Sequence, residues 1–317
     1  MGAEIGLVGL GQLGRRYLQG LLQTSCELSV WAVDSNTEAL KMARDVVSVH
    51  GIGRTVEFAA SVIDLPDDLD IVIGATSADA RVATLQQLLE GRDVRSIILE
   101  KVLTQSLSES VELMRLASCV RDVWVNYPRR IMQWHSAIRP YVMQSAPVQV
   151  SVVGNSWGLM TNGLHFIDLV EWWIGNVAQD IKVPESLNWY DSKRPGFMDA
   201  TGVVEVAFAD GSTLTLQSGP EGQERGKSVI RLLSGGNSLT MCERDGLAAG
   251  SILPGPLPGK LDLQSEITGP LVDEILRTGT CRLPALREVL ATHDLFISSV
   301  LAQGAVPGDV HGRLMIT

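Results

Sequence analysis

The chain has 317 residues, 45% of them hydrophobic and 20% charged, and a formal net charge of −10 at pH 7. That length and mixture fit a globular protein of two domains. The acidic balance excludes broad binding to nucleic acid or to an anionic membrane surface, both of which need a basic face. Four cysteines, Cys26, Cys119, Cys242 and Cys281, are scattered with no Cys-x-x-Cys pair and no histidine at zinc spacing, so no metal site is expected. With no charged-then-apolar leader and no apolar run of about 18 residues, the expectation is a cytoplasmic protein with reduced thiols.

The first predicted element is a buried strand, Ile5 to Val8, followed by Gly9-Leu10-Gly11-Gln12-Leu13-Gly14. A helix opens at once, with Leu13, Tyr17, Leu18, Leu21 and Leu22 on one face. Strand, glycine turn and helix together form the setting in which G-x-G-x-x-G binds a dinucleotide. The first glycine makes the turn, the second lets backbone approach a pyrophosphate, and the third lets helix pack on strand. The positive end of the helix faces the phosphates. Gln12 and Leu13 lie inside this turn. A second strand, Leu28 to Val33, ends in Asp34, about twenty residues beyond the last glycine, as a ribose-binding carboxylate requires. Asp34 repels a 2′-phosphate and Ser35 brings no arginine, so NAD is expected rather than NADP. Asp34 could also cap the helix that follows, Thr37 to Val47.

Further on, the strand Asp70 to Gly74 runs into Ala75-Thr76-Ser77, small residues suited to a turn close to the cofactor. After the helix Asp79 to Leu89, the apolar strand Ser96 to Leu99 ends in Glu100-Lys101, at the strand end where open α/β sheets bind ligands. The helix Leu107 to Cys119 leads to a last strand, Val123 to Asn126, and the domain boundary is placed there: 1–123 for nucleotide binding and 124–317 for substrate binding and oligomerisation.

In order, Gly9-x-Gly11-x-x-Gly14, Asp34, Ala75-Thr76, Glu100-Lys101, Asn126-Tyr127-Pro128-Arg129-Arg130, and His165 with Asp168 resemble the glucose–fructose oxidoreductase/inositol dehydrogenase (Gfo/Idh/MocA) family. The resemblance implies an α/β chain in two parts. One is an N-terminal Rossmann domain with a doubly wound parallel sheet. The other is a C-terminal α/β domain on a large, open, mainly antiparallel sheet, with the last helix and strand able to pack back on the first domain. It implies hydride transfer between nicotinamide and a hydroxyl or ketone of a sugar, sugar nucleotide or cyclitol. Two positions depart from the family pattern. Val102 stands where the family has proline after the lysine, and Thr161, beside Asn162, stands where many members carry an aspartate four residues before the histidine.

Pro128 to Val142 reads as a helix, and Arg129 and Arg130 at its start are candidates to recognise an anionic substrate. His135 reads as a packed histidine. A strand from Val148 to Val153 precedes a loop that carries Trp157, either a surface for a sugar face or a core residue. Thr161 to Trp172 is helical, with His165 and Asp168 on one face. Two antiparallel pairs follow, Ala200–Phe208 with Thr213–Gln217 around Asp210-Gly211, and Lys227–Leu233 with Ser238–Cys242. Leu253 to Lys260 reads as a loop without structure of its own, then come helices from Leu263 to Arg277 and Pro284 to Leu301, and a terminal strand, Arg313 to Thr317.

By resemblance, His165 exchanges the hydroxyl proton and Lys101 stabilises charge on the reacting oxygen, so an imidazole and an ammonium from separate domains meet beside the nicotinamide ring. Asp168 orients the histidine or braces its helix, and Asn126 positions the nicotinamide end. The alternative is an NAD-binding regulatory or scaffold protein that kept the fold and lost turnover, which Thr161 motivates. An open sheet face implies a large apolar patch, and with it a homodimer or homotetramer through the C-terminal sheet.

Overall fold

The computed structural model describes residues 2–51, 55–220, 227–304 and 312–317. In chain order the first elements are β1 (Ala3–Val8), α1 (Gln12–Leu21), β2 (Leu28–Val33), α2 (Thr37–His50), β3 (Thr55–Ala59), β4 (Asp68–Gly74), α3 (Ala78–Leu89), β5 (Asp93–Leu99), α4 (Leu107–Ala117) and β6 (Asp122–Val125). Then come α5 (Gln133–Ser145), β7 (Gln149–Asn155), α6 (Leu159–Ile174), β8 (Ala178–Lys182), β9 (Asn188–Asp191), β10 (Met198–Phe208), β11 (Thr213–Gly219), β12 (Ser228–Ser234) and β13 (Asn237–Cys242). The last are β14 (Leu247–Ala249), β15 (Leu257–Pro258), α7 (Gln264–Thr278) and α8 (Leu286–Leu301).

These fall into two compact units: Met1–Thr104 with Ser108–Asn126 and Asp262–Glu288, and Gln105–Leu107 with Tyr127–Leu261 and Val289–Thr317. The division differs from a single cut after residue 123. Asp262–Glu288 returns to the first unit because α7 packs on α1, where a Cβ on Gly20 would stand 2.6 Å from the Thr268 Cβ and 2.9 Å from the Ser265 carbonyl oxygen. Backbone amides of Ser25 and Cys26 also donate to the Asp273 carboxylate at 2.9 and 3.0 Å. Ala285 then bridges Trp124 on the edge of β6.

The first unit is built on a parallel six-stranded sheet in the order β3-β2-β1-β4-β5-β6. Chain connections reverse direction across the sheet between β1 and β4, and such a reversal is where open α/β sheets bind ligands. Ile5, Leu7, Ile71, Ile73, Ile98 and Leu99 are wholly buried, as strands covered on both faces must be.

The second unit carries a nine-stranded sheet in the order β15-β14-β13-β12-β7-β11-β10-β8, with β9 also pairing β10. It is antiparallel throughout except for β7 beside β11. The Asp210-Gly211 hairpin forms with Gly211 at φ +85°, and Val204, Val206 and Phe208 point inward, where α6 lies against β10 and β11. The outer face is not the apolar patch expected. Register places Lys182, Glu205, Thr215, Ser151, Arg231 and Thr240 in one row across it. Period-two alternation puts polar side chains on the side α6 does not cover.

Three further expectations are corrected. The helix from Pro128 is a single 3-10 turn, Pro128–Arg130, and α5 begins only after Met132, whose extended backbone (ψ 130°) breaks the helix. The segment 253–260 is not wholly irregular: Leu257–Pro258 adds a short strand to β14, and Gly259 lies against the Trp134 ring, where a Cβ would come within 2.1 Å. Arg313–Thr317 forms no strand. Its Leu314 amide donates to the Gln105 carbonyl at 2.8 Å and its Met315 carbonyl accepts from the Met198 amide at 2.7 Å, irregular contacts instead of a ladder.

Candidate functional site

In the first unit the site grows from the turn between β1 and α1. Gly9 has φ +96°, and a Cβ there would lie 2.8 Å from the Ala75 carbonyl carbon and oxygen. A Cβ on Gly14 would stand 1.9 Å from the Gly9 carbonyl oxygen. Both glycines are therefore demanded by packing. Gly11 is different: a Cβ there would meet nothing within 4 Å, and this N-cap position of α1 has no side-chain cap. The start of α1 is thus an uncapped helix terminus with room in front of it, the arrangement that takes an anion. Gln12 is exposed and Leu13 half-buried beside it.

Asp34 follows β2 and holds the turn. One carboxylate oxygen accepts from the Leu10 amide at 2.7 Å and the other from the Asn36 amide at 2.8 Å. The cap of α2 is Asn36, whose side chain accepts from the Glu38 and Ala39 amides, so Asp34 does not cap that helix. Ser35 is exposed. Thr76 and Ser77 are half-buried beyond β4, with Ser77 as the N-cap of α3.

Glu100, at the end of β5, turns into the protein. It is 4% exposed, and one oxygen accepts from the Tyr17 hydroxyl and from Asn126 Nδ2 (2.5 Å). It bolts α1 to the ends of β5 and β6. Burial first, then the Glu100 carboxylate, hold the Tyr17 phenol well above its ordinary pKa. Asn126 Nδ2 also donates to Gln264 Oε1 at 2.9 Å, whereas Asn126 Oδ1 is a buried acceptor with no hydrogen-bond partner among the described residues. Lys101 is half-buried, and the peptide bond after it is cis. A cavity of about 440 Å³ opens by Asp122, Trp124 and Cys281, but Asp122 begins β6, so it flanks the other end of the strand from Asn126.

In the second unit, α6 presents Thr161, Asn162, His165 and Asp168. Its N-cap is Gly158 at φ +85°, which offers no side chain. Asp199 of β10 supplies the cap instead: Oδ1 accepts from the Met160 amide at 3.0 Å and Oδ2 from the Thr161 hydroxyl at 2.8 Å. Asn162 Nδ2 donates to the Trp157 carbonyl at 2.7 Å. His165, one turn beyond Thr161 and on the same face, is half-buried and meets the Tyr127 ring edge-on at 5.5 Å.

Three candidates for substrate recognition turn inward. Trp157 is 6% exposed, donates to the Gln217 carbonyl at 2.9 Å and packs edge-on against Phe166; it is a core residue, not a loop surface. Arg129 pairs with both oxygens of Glu243 at 2.7 Å and lies over the Phe166 ring. Arg130 grips Asp168 at 2.6–3.0 Å. Asp168 therefore braces α6 against the 3-10 turn. Burial pushes its carboxyl up to about 7 while Arg130 pulls it down. Glu243 is opposed by burial too, yet Arg129 and His135 hold it well below the usual carboxylate range. His135, wholly buried, is 3.1 Å from Glu243, packed as expected.

Tyr17, Gln264, Asp199 and Glu243 carry no signal in the sequence that separates them from ordinary core or surface residues. Arg81 alone is marked, as a cation in the first turn of a helix, where the dipole disfavours it.

No protein-family model matches the sequence, and no curated protein matches it. Solved structures do match. UDP-N-acetylglucosamine 3-dehydrogenase GnnA from Acidithiobacillus ferrooxidans aligns with a TM-score of 0.70 at 14% identity, over 95% of this chain and 99% of that one. The super-repressor mutant of Gal80p from Saccharomyces cerevisiae gives 0.72 at 12% identity, over 95% of each chain. Biliverdin reductase from Synechocystis, solved with biliverdin and NADP+, gives 0.69 at 17% identity, over 96% of this chain and 99% of that one. A parallel six-stranded sheet, a mainly antiparallel nine-stranded one and these end-to-end matches lead to one conclusion: the chain has the fold of the glucose–fructose oxidoreductase/inositol dehydrogenase family.

Proposed function

We propose that the protein is a nicotinamide-dinucleotide-dependent oxidoreductase acting on a hydroxyl or ketone of a carbohydrate-like molecule, with NAD rather than NADP as cofactor. The observation that carries the reading is Gly11. Packing explains its two companions, but a Cβ at Gly11 would meet no atom within 4 Å. That glycine serves something outside the chain, and backbone approach to a pyrophosphate is what the second glycine of this motif provides. Gly9, Gly11, Gln12, Leu13 and Gly14 would hold the phosphates, and Asp34 and Ser35 the adenosine ribose. Thr76, Ser77 and Asn126 would hold the nicotinamide half, with a ligand N–H or O–H satisfying Asn126 Oδ1. The carboxylate of Asp34 disfavours a 2′-phosphate, which supports NAD.

The bound dinucleotide supplies the hydride acceptor or donor. In this reading Lys101 donates a hydrogen bond to the reacting oxygen and offsets negative charge there. His165 takes or returns the hydroxyl proton, work for which an imidazole is suited near neutral pH. Thr161, Asn162 and Asp168 shape the surroundings of His165. A homodimer or homotetramer would form through the nine-stranded sheet.

The test is absorbance at the NADH band with NAD and a panel of sugars and nucleotide sugars. Turnover that falls about a hundredfold or more in both Lys101→Ala and His165→Ala supports the reading; turnover indifferent to both substitutions overturns it. A second reading, a dinucleotide-binding regulator without turnover, is favoured by Arg129, Arg130 and Trp157, whose polar groups are committed to Glu243, Asp168 and Gln217. Tight NADH binding with no turnover across the panel would select it.

A further inference from the structure

Arg81 lies in the first turn of α3 and is 1% exposed. A guanidinium in that place is costly twice over. It is withdrawn from water and cannot shed its charge, and it faces the positive end of a helix.

Its bonds show what offsets the cost. Nη2 donates to the Thr76 carbonyl at 2.5 Å, while Nη1 donates to the Val102 carbonyl and to the Leu103 carbonyl, the latter at 2.9 Å. These carbonyls belong to two turns, one after β4 and one after β5. The first turn also supports the glycine loop, since Gly9 lies so close to Ala75 and Thr76 that a Cβ would come within 2.9 Å of the Thr76 amide nitrogen. The second carries Lys101, the residue before Val102. One planar side chain with several donors therefore ties two loops, at the carboxyl ends of β4 and β5. A lysine could not, because a single ammonium is too compact to reach both turns at once.

We propose that Arg81 is a positioning residue that sets the two turns beyond β4 and β5 for the nicotinamide half of a bound dinucleotide. This rests on the dinucleotide reading above. A dinucleotide lies across the point where strand order reverses, its adenosine half on the Asp34 side and its other half over β4 and β5. Arg81 acts on the second half only. The adenosine half depends on Gly9–Gly14 and Asp34.

The experiment titrates NADH and, separately, ADP into the full chain as wild type, Arg81→Lys and Arg81→Met, following fluorescence, with thermal unfolding of each. Both substitutions are expected to weaken NADH about tenfold or more while ADP affinity stays within about twofold. Arg81→Lys matters most, since it keeps the charge and most of the volume. NADH affinity unchanged in both variants overturns the proposal. So does parallel loss of NADH and ADP in Arg81→Lys, which would make Arg81 a general support of the fold. Wild-type protein that binds neither nucleotide sinks the dinucleotide reading itself, an outcome distinct from the other two.

Discussion

The Thr161 hydroxyl donates a hydrogen bond to Asp199 Oδ2 at 2.8 Å, joining the first turn of α6 to β10. Asp199 is 4% exposed, and its other oxygen takes the Met160 and Ala200 amides at 3.0 and 2.8 Å. A carboxylate from a distant strand thus performs the capping that Gly158 cannot, and its negative charge faces the positive helix end. Asp199→Ala should cost about 2 kcal/mol and Thr161→Val about 1 kcal/mol. The double variant should cost no more than Asp199→Ala alone. Urea unfolding of all four proteins measures this, and simple additivity would show that the two residues do not share their stabilisation.

The glycines of the turn between β1 and α1 separate by their surroundings. Gly14→Ala drives a methyl to 1.9 Å from a carbonyl oxygen and should destabilise the protein by about 3 kcal/mol or more. Gly11→Ala meets no atom, and its backbone (φ −58°, ψ −170°) suits an alanine. Its melting temperature should hold while NADH affinity falls about tenfold. Calorimetry paired with an NADH titration distinguishes the two.

Asp168 makes stability depend on pH. Burial raises its folded pKa to about 7, from 3.8 in the unfolded chain, so the native state binds this proton more tightly. The stabilisation is fully present below the unfolded value and is lost as pH rises through about 7. Asp168→Asn lacks the titration. Between about pH 4 and pH 7 its unfolding free energy should fall less with pH than the wild type's. Denaturant unfolding at several pH values reads the difference in slope.

Tyr17 predicts the alkaline side. Its pKa is raised by burial and by Glu100, so its contribution is present below the unfolded value near about 10 and declines as pH rises beyond it. Tyr17→Phe should cost about 1–2 kcal/mol at neutral pH and flatten the alkaline loss. An unchanged alkaline limb would mean another group controls it.

Local chain patterns carried part of the site. The glycine turn, Asp34, Thr76 and Glu100-Lys101 stand out because each depends on residues within a turn or one βαβ unit, whereas His165 stands out only by family resemblance. What those side chains do was less legible. Glu100 stands at a strand end, yet it turns inward to Tyr17, 83 residues earlier in the chain. Arg129 stands just past another strand end, yet its carboxylate is Glu243, 114 residues away. Trp157 follows glycine, asparagine and serine, a surface pattern, but its ring is buried and donates to a carbonyl of β11.

By itself, the sequence determined most of the long strands and helices, the glycine turn after β1 and the carboxylate after β2, because periodicity and glycine stereochemistry act over a few residues. Only the tertiary structure decided which charges pair inside, that Asp199 caps α6, that Arg81 ties two turns together and that α7 returns to α1. Those outcomes depend on how distant segments share buried space. There, desolvation compels each polar group to find a partner wherever the fold supplies one.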